Sequence, residues 1–332
     1  MIFAGLAASL LVILIGAKFF CNGVEWLGNK LGLARGAVGS VLAALGTALP
    51  ETMIPVVAIL FGTSNAAQHV GTGAILGAPF MLATVGFGMA GLAAIGMARH
   101  RGVWRIVPDA ALARRDLSFF LVTYTVAIGA AFLPPAIRSF TVVVLIGGYF
   151  LFLVRAVTQG ERFGEGEKLE PLLVAPRLPD PPLSLVAGQV LCAFLAIFFG
   201  AKIFVQNMGV LAHNLGVAPF LFSLLIAPVA TEMPELFNSV IWIRERKDTL
   251  AMGNITGAMV FQSSLVPCLG IALTPWQLTS GAFFSAGITL ASGLAAYIYL
   301  RRNGFFNSWF FVLAGGVFYA LFVLAVVKGI VC

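Results

Sequence analysis

The chain has 332 residues, of which 60% are hydrophobic and only 10% are charged. Soluble domains carry about 25% charged residues, so this composition excludes a soluble domain and predicts an integral membrane protein. The formal net charge of +7 does not indicate a nucleic-acid partner, because the basic residues follow a topological pattern.

Ten apolar stretches are long enough to cross a bilayer, which takes about 20 apolar residues per helix. The first is longer than the apolar part of a signal peptide and has no basic residue before it, so we interpret it as a span. The fourth and fifth are short and separated by Pro134-Pro135, and nine spans is the alternative if this pair is a kink. In chain order the ten cover residues 2–27, 37–61, 67–96, 117–133, 139–157, 183–207, 217–243, 249–273, 278–300 and 305–327.

Most basic residues lie in the loops on one side of the membrane. With ten spans, 16 of the 20 lysines and arginines lie on one side, two on the other, and Lys18 and Lys202 within spans. Because cytoplasmic loops are rich in such residues, we predict a plasma (inner) membrane protein with both termini outside and the loop at 158–182 in the cytoplasm. For the two lysines we favour stems in lipid with amines reaching an interface over a functional role.

The chain matches itself at a shift of 184 residues. GAKFFCNGVEWLGNKLGLA (16–34) lies over GAKIFVQNMGVLAHNLGVA (200–218). The same register aligns ALGTALPE (44–51) with PVATEMPE (228–235), including the threonine, the proline and the final glutamate of each segment. The chain therefore contains an internal repeat.

A second block, GAILGA (73–78), lies over GNITGA (253–258) at a shift of 180. Each copy holds five spans, an odd number, so the second copy enters the membrane from the opposite side, as in the inverted repeats of secondary transporters. We predict a first repeat at 1–157, a cytoplasmic linker at 158–182 and a second repeat at 183–332.

Four of the 13 acidic residues fall inside spans: Glu25, Glu51, Glu232 and Glu235. A carboxylate at the bilayer centre costs at least ~2.5 kcal/mol, so it indicates function. Glu51 lies midway along the second span and Glu235 midway along the seventh. Protonated core glutamates or glutamate–lysine pairs are the structural alternatives, and for Glu25, near a span end, we favour a structural role.

A proline precedes each central glutamate and should free the backbone carbonyl four residues back, that of Gly46 or Ala230. The next residue in each half is a threonine, Thr47 or Thr231. Two such groups facing each other would form an oxygen-lined site of charge −2. That charge fits Ca²⁺, which prefers oxygen ligands, but also two Na⁺ ions or two protons.

These segments resemble the sodium/calcium exchanger family of the cation antiporter superfamily. Each inverted repeat of that family carries a G-T-S-L-P-E-like segment and a later G-N-x-x-G-S-N-x-x-N-like segment. GTALPE (46–51) is similar to the first closely, and ATEMPE (230–235) more loosely. GNITGAMVFQ (253–262) matches the later segment in part, and GAILGAPFML (73–82) only in its glycine spacing.

The resemblance implies an all-α integral membrane protein of about ten transmembrane helices in two inverted five-helix repeats. It implies that Glu51 and Glu235 are the central cation ligands, helped by Thr47 and Thr231. The glycine-spaced segments are expected to form the opposite wall of the site, with helix packing alone as the alternative.

Several ligand positions of the family are changed here, so we expect most polar residues of the site to come from the second half. The motif serine is Ala48 in one half and Glu232 in the other. On a helix Glu232, Glu235 and Asn238 would share one face. The later family positions read Ala74, Ala78, Pro79 and Leu82 in the first half, and Asn254, Ala258, Met259 and Gln262 in the second.

The duplicated Pro-Glu dipeptide favours a secondary-active cation antiporter, most simply exchanging Ca²⁺ for Na⁺. The alternatives are proton-coupled exchange of Ca²⁺ or another divalent cation, and a membrane scaffold that no longer transports. An enzyme is not expected, because the spans contain no HExxH, GxSxG or Ser/His pair. The expected partners are the lipid bilayer and inorganic cations, with no covalent cofactor.

Overall fold

The structure is a computed structural model that describes residues 2–31, 49, 51–62, 64–158 and 170–330. The described chain is almost entirely helical, and only two short strands, β1 (Arg105–Ile106) and β2 (Phe306–Asn307), pair antiparallel. In chain order the helices are α1 (Ile2–Lys30), α2 (Glu51–Leu60), α3 (Asn65–Gly96), α4 (Ala110–Phe132), α5 (Pro135–Thr158), α6 (Leu183–Asn214), α7 (Pro219–Thr231), α8 (Met233–Arg244), α9 (Asp248–Leu273), α10 (Ser280–Asn303) and α11 (Ser308–Val327).

Nine helical segments of the described residues are long and apolar enough to span a membrane, with α7 and α8 counted together. The prediction of an all-α, multi-pass membrane protein is confirmed. The described part of α2 has ten residues, and most of the preceding part of the predicted second span lies outside the described residues. Pro134-Pro135 forms a turn, since Leu133 is extended and α4 and α5 are separate helices.

The start of α4 differs from the predicted span, which began at residue 117. Asp109 caps the helix, because its Oδ1 atom accepts hydrogen bonds from the backbone nitrogens of Ala111 (2.8 Å) and Leu112 (3.1 Å). The helix therefore begins at Ala110, because the Asp109 side chain accepts hydrogen bonds from backbone amides of the first turn that have no partner within the helix. Asp116, which hydropathy left at a span edge, lies within the helix and is buried.

The helices α1 and α6 cross with reciprocal contacts. A Cβ atom on Gly16 would lie 2.9 Å from Ile197, and one on Gly200 would lie 3.0 Å from Ile13. The shift of 184 residues aligns these glycines with each other, and likewise the two isoleucines. Reciprocal contacts of this kind arise when two equivalent elements are related by a two-fold axis. The sequence register of the repeat therefore describes the packing at this crossing.

Two buried clusters of apolar side chains form the interior. The smaller joins α1 and α6 to α2 and to parts of α3 and α7. The larger is built by α3, α4, α9, α10 and α11, with contributions from α7 and α8. Among the described helices α3 and α9 are the most enclosed, with about two thirds of each apolar stretch buried inside the protein.

The described end of the predicted linker, residues 170–182, folds back onto α1 and α6. The indole nitrogen of Trp26 donates to the carbonyl of Glu170 (2.8 Å), and the Asn22 side chain accepts from the backbone nitrogen of Leu173 (3.0 Å). These contacts fasten the end of α1 to the chain that leads into α6.

Candidate cation site

The seventh predicted span is broken at its centre. The helix α7 ends at Thr231, α8 begins at Met233, and Glu232 lies between them. Pro234 lies in the first turn of α8. Backbone N–H groups of the first turn have no partner within a helix, so the missing N–H of proline costs no hydrogen bond there. The break places Glu232 at the end of one helix and Glu235 in the first turn of the next, where the helix dipole favours a negative charge.

Three carboxylates meet at this break. Oxygen atoms of Glu51, Glu232 and Glu235 all lie within 4.8 Å of one another. Glu51 lies in α2 and is 8% exposed, Glu232 is fully buried, and Glu235 is partly buried. Three anions this close in a low-dielectric interior repel each other strongly, so they require either bound protons or a cation between them. The two central glutamates predicted from the repeat are thus brought together, with Glu232 as a third member.

Gln262 of α9 connects the two halves of the cluster. Its Nε2 atom donates one hydrogen bond to Glu51 Oε2 and another to Glu232 Oε2, each 2.8 Å long. The hydroxyl of Thr231 donates to the other oxygen of Glu232 (3.1 Å). Both donors are buried, so protein groups supply the hydrogen bonds to these acids.

Two oxygen atoms of the site are buried and have no hydrogen-bond partner among the described residues: Oε1 of Gln262 and Oε2 of Glu235. Buried polar atoms are nearly always satisfied, and an unsatisfied one commonly marks a position for an ion or ligand. Carboxylate and amide oxygens are ligands that Ca²⁺ prefers. These atoms fit a site that is completed by a cation.

Asn254 holds the backbone of α8. Its Nδ2 atom donates to the carbonyl of Glu235 (2.9 Å) and to the hydroxyl of Ser239 (3.1 Å). The structure places Asn238 at the exposed surface of α8, while Ser239 is 1% exposed. Sequence periodicity selected Asn238 at i+3 from Glu235, but the residue at i+4 is the one that faces α9.

The remaining predicted residues are located as follows. Gly46 and Thr47 lie outside the described residues, and Ala230 lies in the last turn of α7, so its carbonyl as a ligand stays a prediction. In the glycine-spaced segment of α3, Cβ atoms on Gly73 and Gly77 would each lie 2.4 Å from a backbone oxygen of α7. These glycines therefore bring α3 against the helix that carries Thr231.

Lys18, Lys202 and Glu25 do not join the cluster. The side chains of both lysines are exposed at the surface of α1 and α6, as expected for stems that lie in lipid. Glu25 is exposed near the end of α1. The acids that meet at the centre are thus those in the Pro-Glu segments of the repeat.

The model of a protein family described as sodium/calcium exchanger protein matches residues 1–158 and 185–328. The chain belongs to the sodium/calcium exchanger family. It is 24% identical over 281 residues to inner membrane protein YrbG of Escherichia coli K12, covering 84% of this chain and 82% of that one. It is 26% identical over 301 residues to putative antiporter CaxA of Alkalimonas amylolytica, covering 89% and 88%.

Solved structures share the fold. The H⁺/Ca²⁺ exchanger CAX aligns with a TM-score of 0.74 at 19% identity, covering 98% of this chain and 82% of that one. The sodium-calcium exchanger NCX_Mj aligns with a TM-score of 0.55 at 17% identity, covering 98% and 99%. As a member of this family, the chain is a membrane cation antiporter, and the family is one of transporters and not of enzymes.

Proposed function

We propose that this antiporter exchanges a divalent cation, most simply Ca²⁺, for protons at the cluster of Glu51, Glu232 and Glu235. The observation that carries the proposal is the approach of three carboxylates from both halves to within 4.8 Å. A divalent cation neutralises two of the three charges and takes oxygen ligands from each residue. One proton on the third acid completes the neutralisation.

The third acid favours protons over Na⁺ as the coupling ion. Protons need no ligands beyond the carboxylates themselves, so the empty carrier can return with its acids protonated. Several Na⁺ ions within this small cluster would repel each other, and each would need its own oxygen ligands. The positions that supply such ligands in the family read Ala74, Ala78 and Met259 here.

Exchange for Na⁺, which the sequence favoured, is the second candidate. Neutral oxygens remain in the site, namely the buried and unpartnered Oε1 of Gln262 and the hydroxyl of Thr231. These could accept one monovalent cation beside the carboxylates. Family membership also supports this candidate.

Flux in proteoliposomes tests the proposal. Uptake of Ca²⁺, with Mn²⁺, Mg²⁺ and K⁺ as comparison ions, is measured under a pH gradient without Na⁺ and under a Na⁺ gradient at equal pH. We expect Ca²⁺ uptake to follow the pH gradient. Ca²⁺ uptake driven only by the Na⁺ gradient would favour Na⁺ as the coupling ion. No flux of any ion would indicate a scaffold that does not transport.

Substitutions test the location of the site. We expect Glu235→Gln to abolish flux and Glu51→Gln to abolish it nearly or completely, because each removes a carboxylate ligand of the divalent cation. Glu25→Gln is the matched control, since it removes an acid near the end of α1. Wild-type flux in both Glu51→Gln and Glu235→Gln would show that the cluster is not the transport site.

A further inference from the structure

Two polar pairs join α4 to α9 outside the acidic cluster. Thr256 Oγ1 donates to Asp116 Oδ2 (2.9 Å), and the hydroxyls of Thr123 and Ser263 lie 2.8 Å apart. All four side chains are at least 94% buried. The pairs are seven residues apart on both helices, which is close to two helical turns, so they lie along one line of contact between parallel helices. We call these four residues the polar seam.

The two pairs of the seam differ in the charge of the groups that meet. Arg115 Nη2 donates to Oδ1 of Asp116 (2.8 Å), and Oδ2 is the charged acceptor for the single hydroxyl hydrogen of Thr256. The Thr123 and Ser263 hydroxyls lie within hydrogen-bond distance of each other, and either can be the donor. Each also lies near a carbonyl of its own helix, that of Phe119 (2.8 Å) or of Val260 (3.1 Å). The charge-assisted bond from Thr256 to Asp116 is therefore the stronger of the two connections between the helices.

The seam and the cation site use opposite faces of α9. At about 100° per residue, Thr256 and Ser263 point roughly opposite to the mean direction of Asn254 and Gln262. Gln262 bridges the acids, and Asn254 holds the backbone of Glu235. A slip of α9 by one residue would move it about 1.5 Å and turn it about 100°, which would take both amides away from their acceptors.

The equivalent helix of the first half provides an internal comparison. The shift of 180 residues aligns α9 with α3. Neither the amides nor the seam residues are retained on α3: Asn254, Gln262, Thr256 and Ser263 align with Ala74, Leu82, Leu76 and Ala83. Thus the helix that presents amides to the acids also has the seam residues, and the helix without such amides has apolar residues at both seam positions.

We propose that the polar seam fixes the rotation and register of α9 against α4 and thereby positions Asn254 and Gln262 at the carboxylates. Asp116 and Thr123 are positioning residues for cation binding, and this role rests on the function proposed above. Apolar contacts specify rotation weakly inside a bilayer, because lipid is as apolar as the side chains it replaces. Interhelical hydrogen bonds therefore decide which face of α9 meets the acids.

The experiment compares threonine-to-valine changes, which keep the shape and remove the hydroxyl. Thr256→Val and Thr123→Val should raise the Ca²⁺ dissociation constant and KM about three- to twentyfold, the range expected for one interhelical hydrogen bond in a membrane. Vmax and the melting temperature should change little, and preference for Ca²⁺ over Mg²⁺ should fall. Thr256→Ser should restore the wild-type values.

Thr125→Val is the matched control, because Thr125 lies on α4, as Thr123 does, but is exposed and donates to the carbonyl of Leu121 (2.7 Å) within its own helix. Ser263→Ala repeats the test with a smaller change if Thr123→Val does not fold. If the Thr256→Val and Thr123→Val variants bind Ca²⁺ with the affinity and the ion preference of Thr125→Val, the seam proposal is wrong and the proposed function stands. A lower melting temperature with unchanged Ca²⁺ binding would also contradict the seam proposal. Absence of Ca²⁺ binding by the wild-type chain would contradict the proposed function and the seam with it.

Discussion

Gly77 of α3 lies directly against the backbone of α7, and its replacement by alanine should weaken cation binding. A Cβ atom at this position would lie 2.4 Å from the carbonyl oxygen of Leu224 and 2.7 Å from Cγ of Pro228. Ordinary contacts begin near 3.4 Å, so the helices must separate by about 1 Å, since packed interiors contain little free space. The displaced end of α7 leads directly into Glu232.

We expect the Ca²⁺ affinity of Gly77→Ala to fall about ten- to hundredfold. Metal–ligand distances tolerate only about 0.2 Å, and a misplacement of about 1 Å can cost on the order of 100-fold. Isothermal titration of purified protein gives the affinity, and thermal unfolding shows whether the fold is kept. Gly96→Ala is the control, because Gly96 is an exposed position of α3 where no described atom lies within 4 Å of the added Cβ. Equal affinities in the two variants would refute the reasoning.

Three further predictions concern the third acid, the lipid-facing lysines and the topology. Glu232→Gln should alter ion preference and make inhibition of Ca²⁺ uptake by protons less steep with falling pH, because one titrating carboxylate is lost; an unchanged pH profile of uptake and preference would show that Glu232 takes no part. Lys18→Gln combined with Lys202→Gln should leave flux within a few-fold, as expected of exposed amines, and complete loss with normal insertion would assign them a function. A cysteine introduced by Arg105→Cys should react with membrane-impermeant reagents only from the cytoplasm, and labelling from outside in intact cells would contradict the predicted orientation.

The fold follows from the sequence because a bilayer permits few solutions. Backbone groups in lipid must be hydrogen-bonded within the protein, so long apolar stretches become helices. Most predicted spans agree with the observed helices at their ends, including the turn at Pro134-Pro135. The exceptions include α6, which ends seven residues beyond the predicted span, and α4, which begins seven residues before it, at a start fixed by the side chain of Asp109. Hydropathy does not detect such a start, since the capping residue is polar and the charged residues Arg114, Arg115 and Asp116 follow the first turn.

The members of the acidic cluster were also accessible from sequence. Carboxylates are rare inside spans, and the repeat aligned Glu51 with Glu235, which the structure brings together with Glu232. The partners were harder to predict. Asn238 was selected in place of Ser239 because periodicity gives relative directions within α8 but not the direction in which α9 lies.

The sequence by itself determined the membrane fold, the repeat and the identity of the acids, because burial costs and spacing along one helix are local properties. Only the tertiary structure decided which side chains meet across helices. The two hydrogen bonds from Gln262 to acids of different halves, and the pairing of Asp116 with Thr256, depend on the rotation and register of neighbouring helices. Those two quantities are set by contacts between residues on different helices, which are 30 to 211 positions apart in these three hydrogen bonds and which no local pattern in the chain records.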